Sequence, residues 1–95
     1  MTPTTVANLH GWAVRQAVEM VTRGGPFPFN RVCVLVAFAA ADAFPTAGVS
    51  IRREVRAALE AAAVEGVLSA TWRWNYHERR REPHYVSAPV VEVKK

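Results

Sequence analysis

Cysteine is almost missing from this 95-residue chain: Cys33 stands alone, so no disulfide can form within it. It sits among Val32, Val34, Leu35 and Val36, which reads as a small buried hydrophobe, with a catalytic thiol as the alternative. Long apolar runs are missing as well. The longest, from Val32 to Ala41, stops at Asp42 and is too short for a helix that crosses a bilayer, so no membrane association is expected. Met1 to Leu9 lacks the basic-then-apolar order of a secretory leader, and together with the absence of disulfides this gives a cytoplasmic expectation. His10, His77 and His84 have no zinc-ligand spacing and no cysteine beside them, so neither a metal nor another cofactor is expected. No Ser-His-Asp set, close carboxylate pair or Gly-rich phosphate loop is present, and the chain does not read as an enzyme. Acidic residues are scarce: eight Asp and Glu face twelve Lys and Arg, for a net charge of +4. That sign favours a polyanionic partner, and the placement of the charges must say more.

What is present suffices for a packed core. Half of the residues are apolar (51%) and only 21% are charged, the balance of a globular unit rather than a disordered tail, and the length allows one domain over residues 1–95. Gly24-Gly25-Pro26, the turn from Phe44-Pro45 to Gly48, Gly66, Glu82-Pro83 and Pro89 punctuate it into three helical segments and a hairpin-like tail. Val6, Leu9, Ala13, Ala17, Met20 and Val21 recur at helical spacing and predict a helix over residues 4–23. Trp12, Val14 and Val18 lie off that stripe, an apolar surplus that a second copy of the chain would cover. Asn30 reads as the N-cap of a second helix over 30–43, apolar on every side and so central and buried. The alternation of Val32, Val34 and Val36 would also suit a strand, but the alanines after Phe38 favour helix.

Ser50 is the expected N-cap of a third helix over 50–65. Its apolar stripe is Ile51, Val55, Ala58, Leu59 and Ala62, and Arg52, Arg53 and Arg56 project from one adjacent arc of the first turns. Residues 67–93 read as two strands. Leu68, Ala70, Trp72 and Trp74 alternate with Ser69, Thr71 and Arg73, while Tyr85 to Val93 is valine-rich and able to pair with them. The segment between, Asn75 to His84, is polar and basic, and predicts a long, exposed, mobile loop.

Three helices followed by a basic hairpin, with Ser50-Ile51-Arg52-Arg53-Glu54-Val55 running through Leu59-Glu60 to Glu65-Gly66-Val67-Leu68, resemble the winged helix-turn-helix superfamily over about residues 30–93. The resemblance implies a mainly α fold of the α+β class: three helices and a C-terminal two-stranded wing. It further implies that the helix opening at Ser50 enters the major groove of double-stranded DNA and that the loop from Arg73 to His84 touches backbone or minor groove. Arginine offers a bidentate fork to a guanine edge, so Arg52, Arg53 and Arg56 are candidate base readers. Arg73, His77, Arg79, Arg80 and Arg81 suit phosphates or a narrow minor groove. Ser50, at the helix N-terminus, suits a phosphate, and Glu54 is expected to orient an arginine. An almost wholly apolar second helix, a long turn from Pro45 to Val49, and the lack of Asn or Gln in the recognition segment depart from the family pattern and leave non-specific, architectural binding open.

Two functions follow as expectations. One is a small transcriptional regulator or DNA-architectural protein, homodimeric through its first helix, whose affinity falls with salt at a log-log slope of roughly 4 to 8 in magnitude. The other is a protein-interaction module, an accessory or phage-encoded inhibitor, that grips its partner with Trp72, Trp74 and Tyr76 while the basic loop steers it. Buried tryptophans favour the first and tryptophans exposed in one patch favour the second. The plainer alternatives are a solvated face for Arg52, Arg53 and Arg56, with Arg56 paired to Glu60, and a solubilising loop tip for Arg79, Arg80 and Arg81.

Overall fold

The computed structural model describes residues 6–44 and 50–89. Within them the chain is a compact α+β fold: α1 (Val6–Gly24), β1 (Phe27–Pro28), α2 (Phe29–Ala43), α3 (Ile51–Glu65), β2 (Ser69–Asn75) and β3 (Arg80–Ser87). The expected turn from Pro45 to Val49 and the end of the expected second strand, residues 90–93, lie outside the described residues.

Apolar residues at helical spacing give α1 its buried stripe, Leu9, Ala13, Ala17 and Val21, all packed in one cluster with α2 and α3. The surplus on this helix is absorbed inside the molecule. Trp12 meets Phe44 edge-on with ring centroids 5.5 Å apart, and Val14, Val18 and Met20 pack half-buried on the same core. No large apolar side chain of the described residues of α1 is left exposed, and the surplus that pointed to a second copy is partly buried against the chain's own core. Expectation and structure also part at α2. Its N-cap position is Pro28 rather than Asn30, and it is buried along one side only, by Phe29, Val32, Cys33, Val36, Ala37 and Ala40. Val34, Leu35 and Phe38 face solvent. In α3 the buried set is Val55, Ala58, Leu59, Ala62 and Ala63, and Gly66 ends the helix in the left-handed region at φ 83°. There the Val67 N–H donates to the Ala62 carbonyl at 2.9 Å, so the closing turn satisfies a helix-end carbonyl.

The sheet has three antiparallel strands in the order β1-β3-β2, not the two of the expected wing. Phe27 pairs with Val86 and Pro28 with Tyr85, an edge position that tolerates a proline because its missing N–H is not needed in the ladder. The long mobile loop is not there either. β2 runs to Asn75 and β3 already begins at Arg80, and the short turn between them is pinned by the Asn75 side chain, whose Oδ1 accepts the N–H groups of His77 (2.9 Å) and Glu78 (3.1 Å). Arg79 completes this turn at φ 53°, a left-handed conformation.

Between Thr71 and Trp72 the register of β2 against β3 shifts. Before the shift, Leu68 and Ala70 pack on the core; after it, Arg73 and Asn75 both reach Glu82 on the side of α3. Alternation then turns Trp72 and Trp74 to the outer face of the sheet, the opposite of the half-buried strand read from their spacing.

Candidate interaction surfaces

Glu82 is the organising residue of the hairpin. Its side chain is buried (4% exposed), and it accepts from Arg73 Nε at 2.9 Å, Asn75 Nδ2 at 2.9 Å and Arg56 Nη2 at 3.4 Å. A buried carboxylate is tolerated only when charge and lone pairs are met, and three donors meet them here. The Asn75 amide first, opposed by burial, and then the Arg73 and Arg56 guanidiniums hold this carboxyl below its usual range. Arg56 also donates to Asn30 Oδ1 at 3.0 Å and lies 5.3 Å from the Phe29 ring centroid, while Arg73 Nη1 is 3.2 Å from His84 Nδ1. One turn further along α3, Glu60 takes both terminal nitrogens of Arg80, whose Nε bonds Glu78 at 2.8 Å.

These contacts sort the nine residues expected to touch DNA. Arg56, Arg73 and Arg80 are engaged by carboxylates and clasp the hairpin to α3 and α2. Arg52, Arg53, Arg79 and Arg81 are the members left exposed and without an ion pair among the described residues. His77 is exposed in the turn, and Ser50 holds the N-cap position without a side-chain cap bond. The set does not form one surface. Arg81 lies across the ladder from Trp74 and so shares its outer face, whereas Arg52 and Arg53 sit at the start of α3. Beyond them the solvent side of α3 carries Ala57, Ala61 and Val64, none of which can hydrogen-bond a base edge. Glu54 orients no arginine: its Oε2 lies 3.7 Å from His10 Nε2 on α1, and neither atom has a hydrogen-bond partner. Arg56 and Glu60, which the plainer reading paired with each other, each pair with the hairpin instead.

The outer face of the sheet is aromatic. Trp72 is 39% exposed, Trp74 49% and Tyr76 84%, and Trp74 and Tyr76 meet edge-on at 6.5 Å. On the other side of the hairpin, a groove of about 470 Å³ is lined by Arg52, Arg56 and Arg73 with Asn30, Cys33 and Val34. Cys33 is buried at the groove floor, and burial first of all, against the opposing pull of Arg56, pushes its thiol up to about 11, which suits a packing residue rather than a nucleophile. No group of three or more potential metal ligands occurs among the described residues, and none of the described helices is long and apolar enough to cross a membrane.

Sequence reasoning missed Asn30, Asn75 and Glu82 as the clasp. Its one legible trace was a single carboxylate inside an arginine-rich strand. Comparison with protein-family models, with curated proteins and with solved structures returned no match.

Proposed function

We propose that this chain is a protein-interaction module on a winged-helix-like scaffold, and that it grips its partner with the outer face of β2. The observation that carries this reading is the exposure of Trp72, Trp74 and Tyr76 in one row beside Arg81. Leaving large rings in water forgoes roughly 25 cal/mol for every Å² of apolar area that a contact would bury. Trp, Tyr and Arg are also the side chains that most often dominate binding energy at protein interfaces. Exposed tryptophans in one patch are the arrangement expected of a protein partner, and the arginine clasp behind them keeps the strand stiff and so lowers the ordering cost of binding. Three helices followed by an antiparallel hairpin support the scaffold.

A second reading, double-stranded DNA binding by a regulator or architectural protein, is favoured by Arg52 and Arg53, exposed and unpaired at the N-terminus of α3, with Arg79 at the hairpin tip. With Arg56, Arg73 and Arg80 held by carboxylates, this reading gives a log-log salt slope of about 3 in magnitude for each chain bound.

The two are separated by a gel shift of a random duplex together with photo-crosslinking. The protein reading expects no shift at physiological salt, and a nuclease-resistant protein adduct from a photoreactive side chain at position 74 but not at position 53. A salt-sensitive shift lost in Arg52→Ala/Arg53→Ala and kept in Trp72→Ala/Trp74→Ala would replace it with the DNA reading.

A further inference from the structure

We propose that the open edge of β2 receives an extended, acidic segment of the partner protein as an added strand. This inference rests on the protein-interaction reading and names the partner's chemistry.

The first ground is the edge itself. In the order β1-β3-β2, β2 bonds to β3 on one side only, and among the described residues no strand pairs with its other side. The helices pack against β3, and none packs extensively along β2. A row of unpaired N–H and C=O groups is a template for another strand, and folds usually guard it with shortness, proline or outward charge. The opposite edge has such guards, since β1 has two residues and one is Pro28. β2 has seven residues and no proline, glycine or lysine, and its single charged side chain, Arg73, is drawn onto Glu82.

The second ground is the chemistry on either side of that edge. Residues of an added strand alternate between the two faces of the sheet. On the outer face they meet Trp72 and Trp74, which take apolar side chains at cross-strand distance. On the inner face they approach Arg73 and the groove that also holds Arg52 and Arg56, where one carboxylate, Glu82, stands against three guanidiniums. Arg79 and Arg81 are unpaired, and the carboxylate of the turn, Glu78, is occupied by Arg80. This charge balance selects an acidic strand. It disfavours a second copy of this chain, which brings a net charge of +4. The mode is strand addition, in which main-chain bonds supply affinity and alternate side-chain contacts supply selectivity.

The test is calorimetric titration of the full chain with a peptide of about ten residues alternating Glu and Val. It is compared with the same peptide N-methylated at alternate backbone nitrogens, a Lys-Val counterpart and a single-stranded oligothymidine. Saturable binding of the Glu-Val peptide is expected, weaker by about tenfold on N-methylation and by about tenfold in Trp72→Ala/Trp74→Ala, with the Lys-Val peptide inert. Amide hydrogen exchange in β2 is expected to slow in the complex. N-methylation changes only the peptide, so its effect is readable even where the tryptophan variant folds poorly. Equal binding of the methylated peptide, or no binding of the Glu-Val peptide, overturns strand addition, while the adduct from position 74 still decides the protein reading by itself. Tighter binding of the oligothymidine, lost in the tryptophan variant, overturns both, because the aromatic row is then a stacking platform for bases.

Discussion

Glu82 shows how much one side chain can rearrange a reading of charge. Three donors converge on it, and Arg56 and Arg73 are thereby anchored in the clasp while still lining the groove beside it. Truncation of Glu82 to Ala leaves these guanidiniums without their acceptor but still partly in water, so a loss of about 1–3 kcal/mol in urea unfolding is expected at neutral pH. Because the folded carboxyl titrates below its usual range, this contribution is complete above the unfolded carboxylate pKa, about 4.3, and fades as pH falls through the lower folded value. The stability difference between wild type and Glu82→Gln is therefore expected to be largest near neutral pH and to shrink in acid. A difference that grows as pH falls would contradict the clasp. Cys33 yields a second expectation at this scale. With its thiol pushed up to about 11 in a buried position, alkylation at pH 8 is expected to be slow in the native protein and to accelerate sharply in denaturant, followed by mass spectrometry.

At the scale of elements, the helices follow from local spacing and their ends from two glycines that differ in kind. A Cβ at Gly66 would touch nothing within 4 Å, so Gly66→Ala carries only the conformational cost of the left-handed region, about 1 kcal/mol. At Gly25 a Cβ would lie 2.7 Å from the Val21 carbonyl oxygen, so Gly25→Ala forces the end of α1 to move. It is expected to lower the urea midpoint more than Gly66→Ala does; the reverse order would contradict the packing of α1 against the segment leading to β1. The hairpin was harder to read. Alternation along residues 68–74 is broken where Thr71 pairs with Tyr85 and Trp72 with Pro83: the extra residue, His84, belongs to β3 beside Pro83, so β2's own sequence does not mark the change. β1 was illegible for another reason: its two residues are a strand only because β3, far along the chain, bonds to them.

Across the whole molecule, the cations divide into those that hold the fold and those that do not. Arg52→Ala/Arg53→Ala is expected to leave stability within about 0.5 kcal/mol of wild type, because neither side chain has a partner among the described residues. Arg56→Ala removes contacts to α2 and β3 at once and is expected to destabilise measurably in the same urea series. A large effect at Arg52 and Arg53 would mean that they, too, are structural. The sequence by itself determined the α+β class, the three helices, the buried stripes of α1 and α3, the stop at Gly66, and a basic molecule with one cysteine in an apolar run, because each depends on neighbours within a turn or two. Only the tertiary structure decided which arginines are spent on carboxylates, that α1 covers its own apolar surplus, and which way Trp72 and Trp74 point. Those outcomes depend on pairing between residues distant in the chain and on a one-residue shift in register, which reverses the face of every side chain that follows it.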